Sequence, residues 1–419
     1  MIAVVSSPET LLVNYWYAHP VGHALEGMRY ALGYKSADPE MRVSLLLNGA
    51  TAIELARLCP FIDEIYAVPF TRFTEVEADP VEALASVPRS WDWIVENHRT
   101  REESHAGFAG FRAFFDAAHE HLRACHPIGS AGQEPPAYTP HQQLRLDLPS
   151  NARAAAAATV GGRQAISLLL AGSSSARHLY PSAASWELIL TALSEQYPEA
   201  AILLIGKHAS DGRTTTCVAR AEVDRLLTAI PSTIDCFDRP LLEQVALVEA
   251  SDLLVSPHTG FSFVASTVGT PWLAISGGNW HEYFFNGEPV YSLLPDPKRY
   301  PSFAWAQIGD EPLQVLDQDD DGAGPRTPSM SIRRIRDDLP ELRHAAELLI
   351  ERRLSYDDAL ADTFRACLPP TTATAIARSA STTSATAMFR SCIRVRESIL
   401  VKRGRRSLGQ AGGASLSEP

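Results

Sequence analysis

The clearest indication of the fold comes from one stretch, Asp252-Leu-Leu-Val-Ser-Pro-His-Thr-Gly-Phe-Ser262. It begins as the short apolar run Asp252–Val255, which is typical of a strand buried on both faces of a parallel sheet. A small, polar turn follows, and Ser262–Val268 has the pattern of a helix. Because ligands of open α/β sheets bind beyond the carboxyl ends of the strands, we predict a binding loop at this turn.

The side chains of this turn suit a pyrophosphate. Thr259 and Ser262 supply hydroxyl donors, and Gly260 allows the backbone to approach a ligand closely. The start of the following helix adds free N–H groups and the positive end of its dipole. The alternative is an ordinary N-cap turn in which Thr259 or Ser262 only caps the helix.

Working outward, strands and helices alternate along both halves of the chain, as in parallel sheets covered by helices on both faces. The first half has predicted strands at Ile2–Val5, Val43–Leu47, Ile62–Val68 and Trp91–Val95, with helices at Ala24–Leu32, Ala50–Leu58 and Phe108–Ala124. The second half has strands at Ala165–Leu170, Ala201–Ile205, Asp252–Val255 and Trp272–Ile275, with helices at Ser182–Gln196, Leu241–Ala250 and Ser262–Val268. The pattern predicts an α/β protein with two Rossmann-like domains facing a cleft.

A second candidate phosphate loop, Ala171-Gly-Ser-Ser-Ser-Ala-Arg-His178, follows the strand Ala165–Leu170. Gly172, Ser173 and Ser174 are small or hydroxylic, and the guanidinium of Arg177 is suited to a forked contact with phosphate. The alternative is a flexible loop with one solvated arginine. Two such loops at strand ends in the same half of the chain strengthen both predictions.

A third loop in the first half, Asn14–His23, is rich in aromatic residues and histidine. His19 and His23 are candidate general bases, because imidazole exchanges protons near neutral pH. The loop also fits a role in packing against the other domain. A metal site at the two histidines lacks an obvious third ligand.

Composition narrows the function classes. The chain has 419 residues, 45% hydrophobic and 21% charged, with a formal net charge of −12, which disfavours a broad nucleic-acid surface. The six cysteines are scattered, and neither a signal peptide nor a membrane span is evident, so we expect a cytoplasmic protein with reduced thiols. A dinucleotide G-x-G-x-x-G after the first strand and a P-loop are both lacking.

The same pattern predicts the domain boundaries. We expect a first domain at 1–150, a second at 160–330, C-terminal helices at 331–368, and a linker and partly disordered tail at 369–419. The segment Ser130–Gly162 reads as an interdomain connection.

The second half resembles the donor domain of bacterial heptosyltransferases, which are glycosyltransferases of the GT-B fold. The resemblance lies in Gly172-Ser-Ser-Ser-Ala-Arg177 with Pro181 and Trp186, and in His258-Thr-Gly-Phe-Ser-Phe-Val-Ala265 with Gly269-Thr-Pro271. In this chain His258 replaces an Asp of the family motif and Phe263 replaces its His. The resemblance therefore implies a GT-B transferase with an altered donor or acceptor.

The resemblance also implies the chemistry. A nucleoside diphosphate sugar in the second domain would give its sugar to a hydroxyl of a glycan or natural-product acceptor, by inversion and without a metal or other cofactor. The donor would be held by Gly172, Ser173, Ser174, Arg177, His258, Thr259, Gly260, Phe261 and Ser262. His19 or His23 would be the base, and Glu26 is a weaker candidate because a position on the following helix can face solvent. The alternatives are a sugar-nucleotide epimerase or hydrolase and a non-catalytic binding protein on the same fold.

Overall fold

Two large β-sheets with covering helices make up most of the part of the chain that the computed structural model describes. This part comprises residues 8–16, 20–68, 84–96, 127–129, 132–139, 142–173, 180–210, 212–257, 259–275, 291–292, 317–318, 325–326 and 332–353. All of it belongs to the unit Met1–Leu354, whereas Ser355–Pro419 is a second unit. The predicted strand Ile2–Val5, the helix Phe108–Ala124 and the tail at 369–419 lie outside the described residues.

The first sheet has the strand order β3-β2-β1-β4-β5. The strands are β1 (Thr10–Tyr15), β2 (Arg42–Asn48), β3 (Glu64–Val68), β4 (Trp93–Glu96) and β5 (Pro127–Ile128). Strands β1 to β4 pair in parallel, and β5 is antiparallel to β4. Helices α1 (Val21–Ala37) and α2 (Ile53–Ala56) follow β1 and β2.

The second sheet has the order β11-β10-β9-β6-β7-β8, and all its pairings are parallel. Its strands are β6 (Ala165–Leu169), β7 (Ala201–Gly206), β8 (Thr233–Phe237), β9 (Leu253–Pro257), β10 (Trp272–Ile275) and β11 (Tyr291–Ser292). Because β6 lies between β9 and β7, the loops that leave these three strands are neighbours at one edge of the sheet.

Helices cover this second sheet. They are α3 (Ser150–Val160), α4 (Ala183–Gln196), α5 (Arg220–Ala229), α6 (Leu241–Glu249) and the short α7 (Val264–Val268), which a 3-10 helix at Gly260–Phe263 precedes. Two short strands, β12 (Asp317–Gln318) and β13 (Pro325–Arg326), form an antiparallel pair. They precede α8 (Ile332–Ile350), the last helix among the described residues.

Helix α4 is fixed at both of its ends. Ser182 caps its start by accepting a hydrogen bond from Ser185 N at 3.2 Å. The buried Trp186 donates its indole N–H to Leu170 O at 2.9 Å, which attaches the helix to the end of β6. At the other end, Gln196 Nε2 donates to Arg343 O of α8 at 3.1 Å. Helix α4 is therefore held between the sheet and α8.

One apolar core extends across both sheets. It contains Leu25 and Met28 of α1 together with Phe263, Val264 and Ala265 of the second half. Helix α1 packs on the 3-10 helix at Gly260–Phe263. The first turn of α1 is thereby placed beside the loop after β9.

The structure corrects several predicted elements. Strand β1 is at Thr10–Tyr15, so Asn14 belongs to a strand and not to the loop that we predicted from Asn14 to His23. The connection predicted at Ser130–Gly162 contains α3, and both α5 and β8 were absent from the prediction. The helix predicted at Ala50–Leu58 shortens to α2. No helix among the described residues has the length and apolar content needed to cross a bilayer.

Candidate functional site

The candidate site is a cavity of about 470 Å³ at the carboxyl ends of strands from both sheets. The first half contributes residues at the start of α1 and after β2, namely Pro20, Val21, Ala50, Thr51, Ala52 and Glu54. The second half contributes residues after β6 to β9, which include Gly172, Ser173, Lys207, Arg213, Thr214, Thr215, Thr216, Asp238, Arg239, Thr259, Gly260 and Phe261. Pockets of this size commonly hold small organic ligands.

The two loops predicted to bind phosphate meet in this cavity. A Cβ atom added to Gly172 would lie 3.0 Å from Thr259 Cγ2 and 2.8 Å from Tyr180 Oη. The 2.8 Å distance is shorter than real Cβ contacts and the 3.0 Å distance is among the tightest of them, so glycine at residue 172 favours this close approach of the β6 loop to the β9 loop. The predicted neighbours Ser174, Arg177, His258 and His19 lie outside the described residues.

Ser262 lies beneath the loop and is not among the residues that line the cavity. Its hydroxyl is fully buried, 2.6 Å from Ser256 Oγ and 3.1 Å from Thr259 Oγ1, and it donates to Pro257 O at 3.2 Å. Trp272 Nε1 donates to Ser256 Oγ at 2.8 Å. This network holds Thr259 at the cavity wall. Ser262 thus supports the loop from below, whereas we had predicted that it faces the ligand.

The loop after β7 adds cations and hydroxyl groups to the wall. Thr216 N donates to Lys207 O at 2.7 Å, and Lys207 N donates to Thr216 Oγ1 at 3.0 Å, which closes the loop on itself. Cys217 N donates to Gly172 O at 2.7 Å and joins this loop to the β6 loop. Arg213 and the three threonines after it were not among the predicted site residues. The feature that could have indicated them is a cation followed by three hydroxyl side chains, soon after a buried strand.

An ion pair crosses the cavity from one sheet to the other. Arg213 Nη1 lies 2.5 Å from Glu54 Oε1, and Nη2 lies 3.1 Å from Oε2. Glu54 is on α2 of the first half, and Arg213 is on the loop after β7 of the second. This forked geometry is the one that a guanidinium also forms with phosphate.

Asp238 organises the wall from the β8 side. Its Oδ1 accepts N–H bonds from Ala209 at 2.8 Å and His208 at 2.7 Å, and these hold the pKa of the carboxyl below its usual value. The residue has a φ of 60°, in the left-handed region that Asp tolerates better than most residues. His208 stacks on Phe237 at 4.5 Å between ring centroids and donates from Nε2 to Val218 O at 3.0 Å.

We expect Asp238 to stabilise the fold in a pH-dependent way. A lowered pKa means that its contribution is complete above the unfolded value near 3.8 and is lost as pH falls through the folded pKa. The difference in melting temperature between wild type and Asp238→Ala, measured from pH 7 to pH 3, should therefore narrow at the acidic end. Asp238→Asn, which keeps an acceptor oxygen and tolerates the same φ, should cost less than Ala. A constant gap at all pH values would contradict the assignment.

The first two turns of α1 carry a histidine–carboxylate pair next to the cavity. His23 Nδ1 lies 3.4 Å from Glu26 Oε2, and the neighbouring Pro20 and Val21 line the cavity. Glu26 does lie on the helix, as predicted, but its side chain is only 4% exposed and does not point to solvent. A buried carboxylate beside one ring nitrogen orients the imidazole and leaves the other nitrogen for proton transfer.

A glycosyltransferase is among the solved structures with a similar fold. A glycosyl transferase family 9 protein from Veillonella parvula has a TM-score of 0.52 at 10% identity, over 80% of this chain and 97% of that one. The fold is GT-B. The ADP-heptose LPS heptosyltransferase II of E. coli has a TM-score of 0.49 at 12% identity, over 81% and 99% of the two chains. E. coli heptosyltransferase WaaC with ADP has a TM-score of 0.47 at 12% identity, over 81% and 99%.

No sequence match accompanies this similarity of fold. No protein-family model matches the sequence, and no curated protein matches it. At 10% identity the likeness to the Veillonella protein establishes the fold, so the function is argued from the residues of the cavity.

Proposed function

We propose that the protein is a glycosyltransferase, which moves a sugar from a nucleoside diphosphate sugar to an acceptor hydroxyl. The observation that carries the proposal is that the two predicted phosphate loops meet in one cavity between two sheets, and that the helix whose first residue, Val21, lines this cavity also carries a histidine–carboxylate pair. Donor-binding groups come from the second half of the chain, and the candidate base comes from the first.

The charge of the cavity favours an anionic donor. Its described lining has three basic side chains, Lys207, Arg213 and Arg239, against two acidic ones, Glu54 and Asp238. The carboxylate of Asp238 is already engaged by two backbone N–H groups. Hydroxyls of Ser173, Thr259 and the loop after β7 add neutral donors. A diphosphate placed here meets a net positive wall of hydrogen-bond donors.

In the proposed reaction His23 accepts the proton of the acceptor hydroxyl through Nε2. The acceptor oxygen bonds to the anomeric carbon of the sugar as the bond from that carbon to the diphosphate oxygen breaks, which inverts the anomeric centre. Glu26 holds the imidazole and stabilises the imidazolium that forms. Lys207, Arg213 and the loop N–H groups stabilise the negative charge that develops on the departing diphosphate, so the proposal calls on no metal ion.

Binding of nucleoside diphosphates is the first test. We expect one of ADP, UDP, GDP and dTDP to raise the melting temperature by a few degrees, because a ligand at about 100 times its Kd adds about 2.7 kcal/mol of stability. Adenosine and the other unphosphorylated nucleosides serve as controls and should shift it far less. If none of the four diphosphates stabilises the protein, the donor site is refuted.

The reaction products then distinguish sugar transfer from epimerisation and hydrolysis. Incubation of the protein with the matching nucleotide sugar and candidate glycan or natural-product acceptors should give a glycosylated acceptor, detected by mass spectrometry. A changed or released sugar without any acceptor product indicates an epimerase or a hydrolase. Binding without turnover for every acceptor indicates a non-catalytic binding protein.

A further inference from the structure

The forked ion pair between Glu54 and Arg213 is a feature that the proposed reaction leaves unexplained. Each partner lines the cavity, and each side chain is partly exposed, 27% for Glu54 and 35% for Arg213. The pair joins residues 159 positions apart in the sequence and belonging to different sheets. A ligand that enters the cavity therefore meets this pair directly.

We propose that Glu54 stands in for the donor diphosphate on Arg213, so that donor binding transfers the guanidinium from carboxylate to phosphate. The inference rests on the proposed function, since it concerns the same donor site. A guanidinium binds a carboxylate and a phosphate through the same two parallel N–H donors. The diphosphate carries more negative charge than the carboxylate, so it is the stronger partner once it is in the cavity.

The surroundings of Arg213 favour exchange over a permanent link. Water and salt screen a partly exposed ion pair, so exchanging its carboxylate for another anion costs less than it would for a fully buried pair. The loop that carries Arg213 also presents Lys207 and the hydroxyls of Thr214, Thr215 and Thr216, which remain in place for the incoming phosphates. Release of Glu54 removes this ion pair between α2 and the loop after β7, while the buried Ile53, Leu55 and Ala56 keep α2 in the core.

Opposite effects of the two partners distinguish exchange from a simple clamp. If Glu54 competes with the donor, Glu54→Gln strengthens binding of the nucleoside diphosphate by about threefold and Arg213→Gln weakens it by about tenfold. If the pair only clamps the cavity, both changes weaken binding. The double variant should match Arg213→Gln alone, because Glu54 has nothing to compete for once the guanidinium is gone.

The experiment is calorimetric titration of the diphosphate that stabilises the wild type best, at low and at high salt. Glu54→Ala repeats the test without an amide that still accepts from Arg213. Glu187→Gln is the matched control: Glu187 accepts from Arg225 at 2.8 Å and 3.0 Å, is not among the described lining residues and should leave the Kd unchanged. The gain from Glu54→Gln should shrink as salt screens the charge.

The outcomes separate this inference from the proposed function. Wild type that binds none of the four diphosphates refutes the function and the inference together. Wild type that binds, combined with weaker or unchanged binding by both Glu54 variants, refutes the inference and leaves the function standing. Stronger binding by the Glu54 variants and weaker binding by Arg213→Gln supports it.

Discussion

His23→Ala is expected to lower kcat by about 10²- to 10⁴-fold, the range that a positioned general base contributes. The Kd for the nucleoside diphosphate should stay close to wild type, because His23 lies on α1 of the first half whereas the donor groups belong to the second. The measurement is turnover at saturating donor and acceptor together with calorimetric titration of the diphosphate. His344→Ala, an exposed histidine on α8, is the control and should retain full activity.

The buried Glu26 gives this prediction a second arm. Glu26→Gln should lower kcat as well, because the amide no longer stabilises the imidazolium. Since the two residues act as a unit, the double variant should be no slower than His23→Ala alone. Full turnover by His23→Ala would reject it as the base and leave Glu26 and His19, the latter outside the described residues, as the remaining predicted candidates. Additive losses would mean that Glu26 acts independently of His23.

Gly22→Ala is expected to destabilise the protein by about 1–3 kcal/mol, the usual cost of overpacking. An added Cβ would lie 2.7 Å from Gly260 Cα and 2.8 Å from Gly260 O. These are backbone atoms, so the clash is relieved only by separating α1 from the 3-10 helix at Gly260–Phe263. Because Gly260 lines the cavity, affinity for the diphosphate should fall with stability.

The matched control for this change is Gly27→Ala on the same helix. Its added Cβ would lie 3.1 Å from Leu45 Cδ1 and 3.2 Å from the ring of Tyr15, both side chains of the first sheet. We expect it to alter the melting temperature and to leave the Kd unchanged. Equal effects of the two variants on Kd would show that the contact between Gly22 and Gly260 does not shape the cavity.

Strands that are apolar throughout could be predicted from the sequence, and binding loops could be predicted at their carboxyl ends. The four strands predicted in the second half all exist, and the loops that follow three of them, β6, β7 and β9, line the cavity. Strand β1 was missed because Asn14 suggested the start of a loop. In the structure Asn14 has no exposed surface, and its Oδ1 accepts from Trp16 N at 3.4 Å, so a polar residue is accommodated inside the sheet.

Helix α3 was missed because its pattern uses alanine. Its buried residues are Ala152, Ala156 and Val160. They are spaced four apart, as on one face of a helix, but two of the three are alanine, so the apolar pattern is weak. Alanine also has the highest helix propensity, so the composition itself favoured a helix. The prediction of an interdomain connection from the low complexity of this segment took neither property into account.

The long-range contacts of the site had no signal in the sequence. Glu54 and Arg213 are 159 residues apart, and nothing near either residue indicates its partner. The support that Ser262 gives to Thr259 depends equally on Ser256 and Trp272, which the fold brings to it. Sequence patterns predicted two of the loops that line the cavity, those after β6 and β9, and only packing determined which other loops and which side chains face it.

The core that both sheets share limits which parts of this chain can be exchanged with those of other proteins of the same fold. Leu25 and Met28 of α1 pack in the same core as Leu144–Leu148 and Phe263–Ala265, so the two halves are not independent modules. A chimaera that joined the first half of this protein to a foreign second half would bring unmatched surfaces together beneath the cavity. Any exchange has to carry these three segments as one set, so under the proposed function acceptor choice and donor choice would be inherited together.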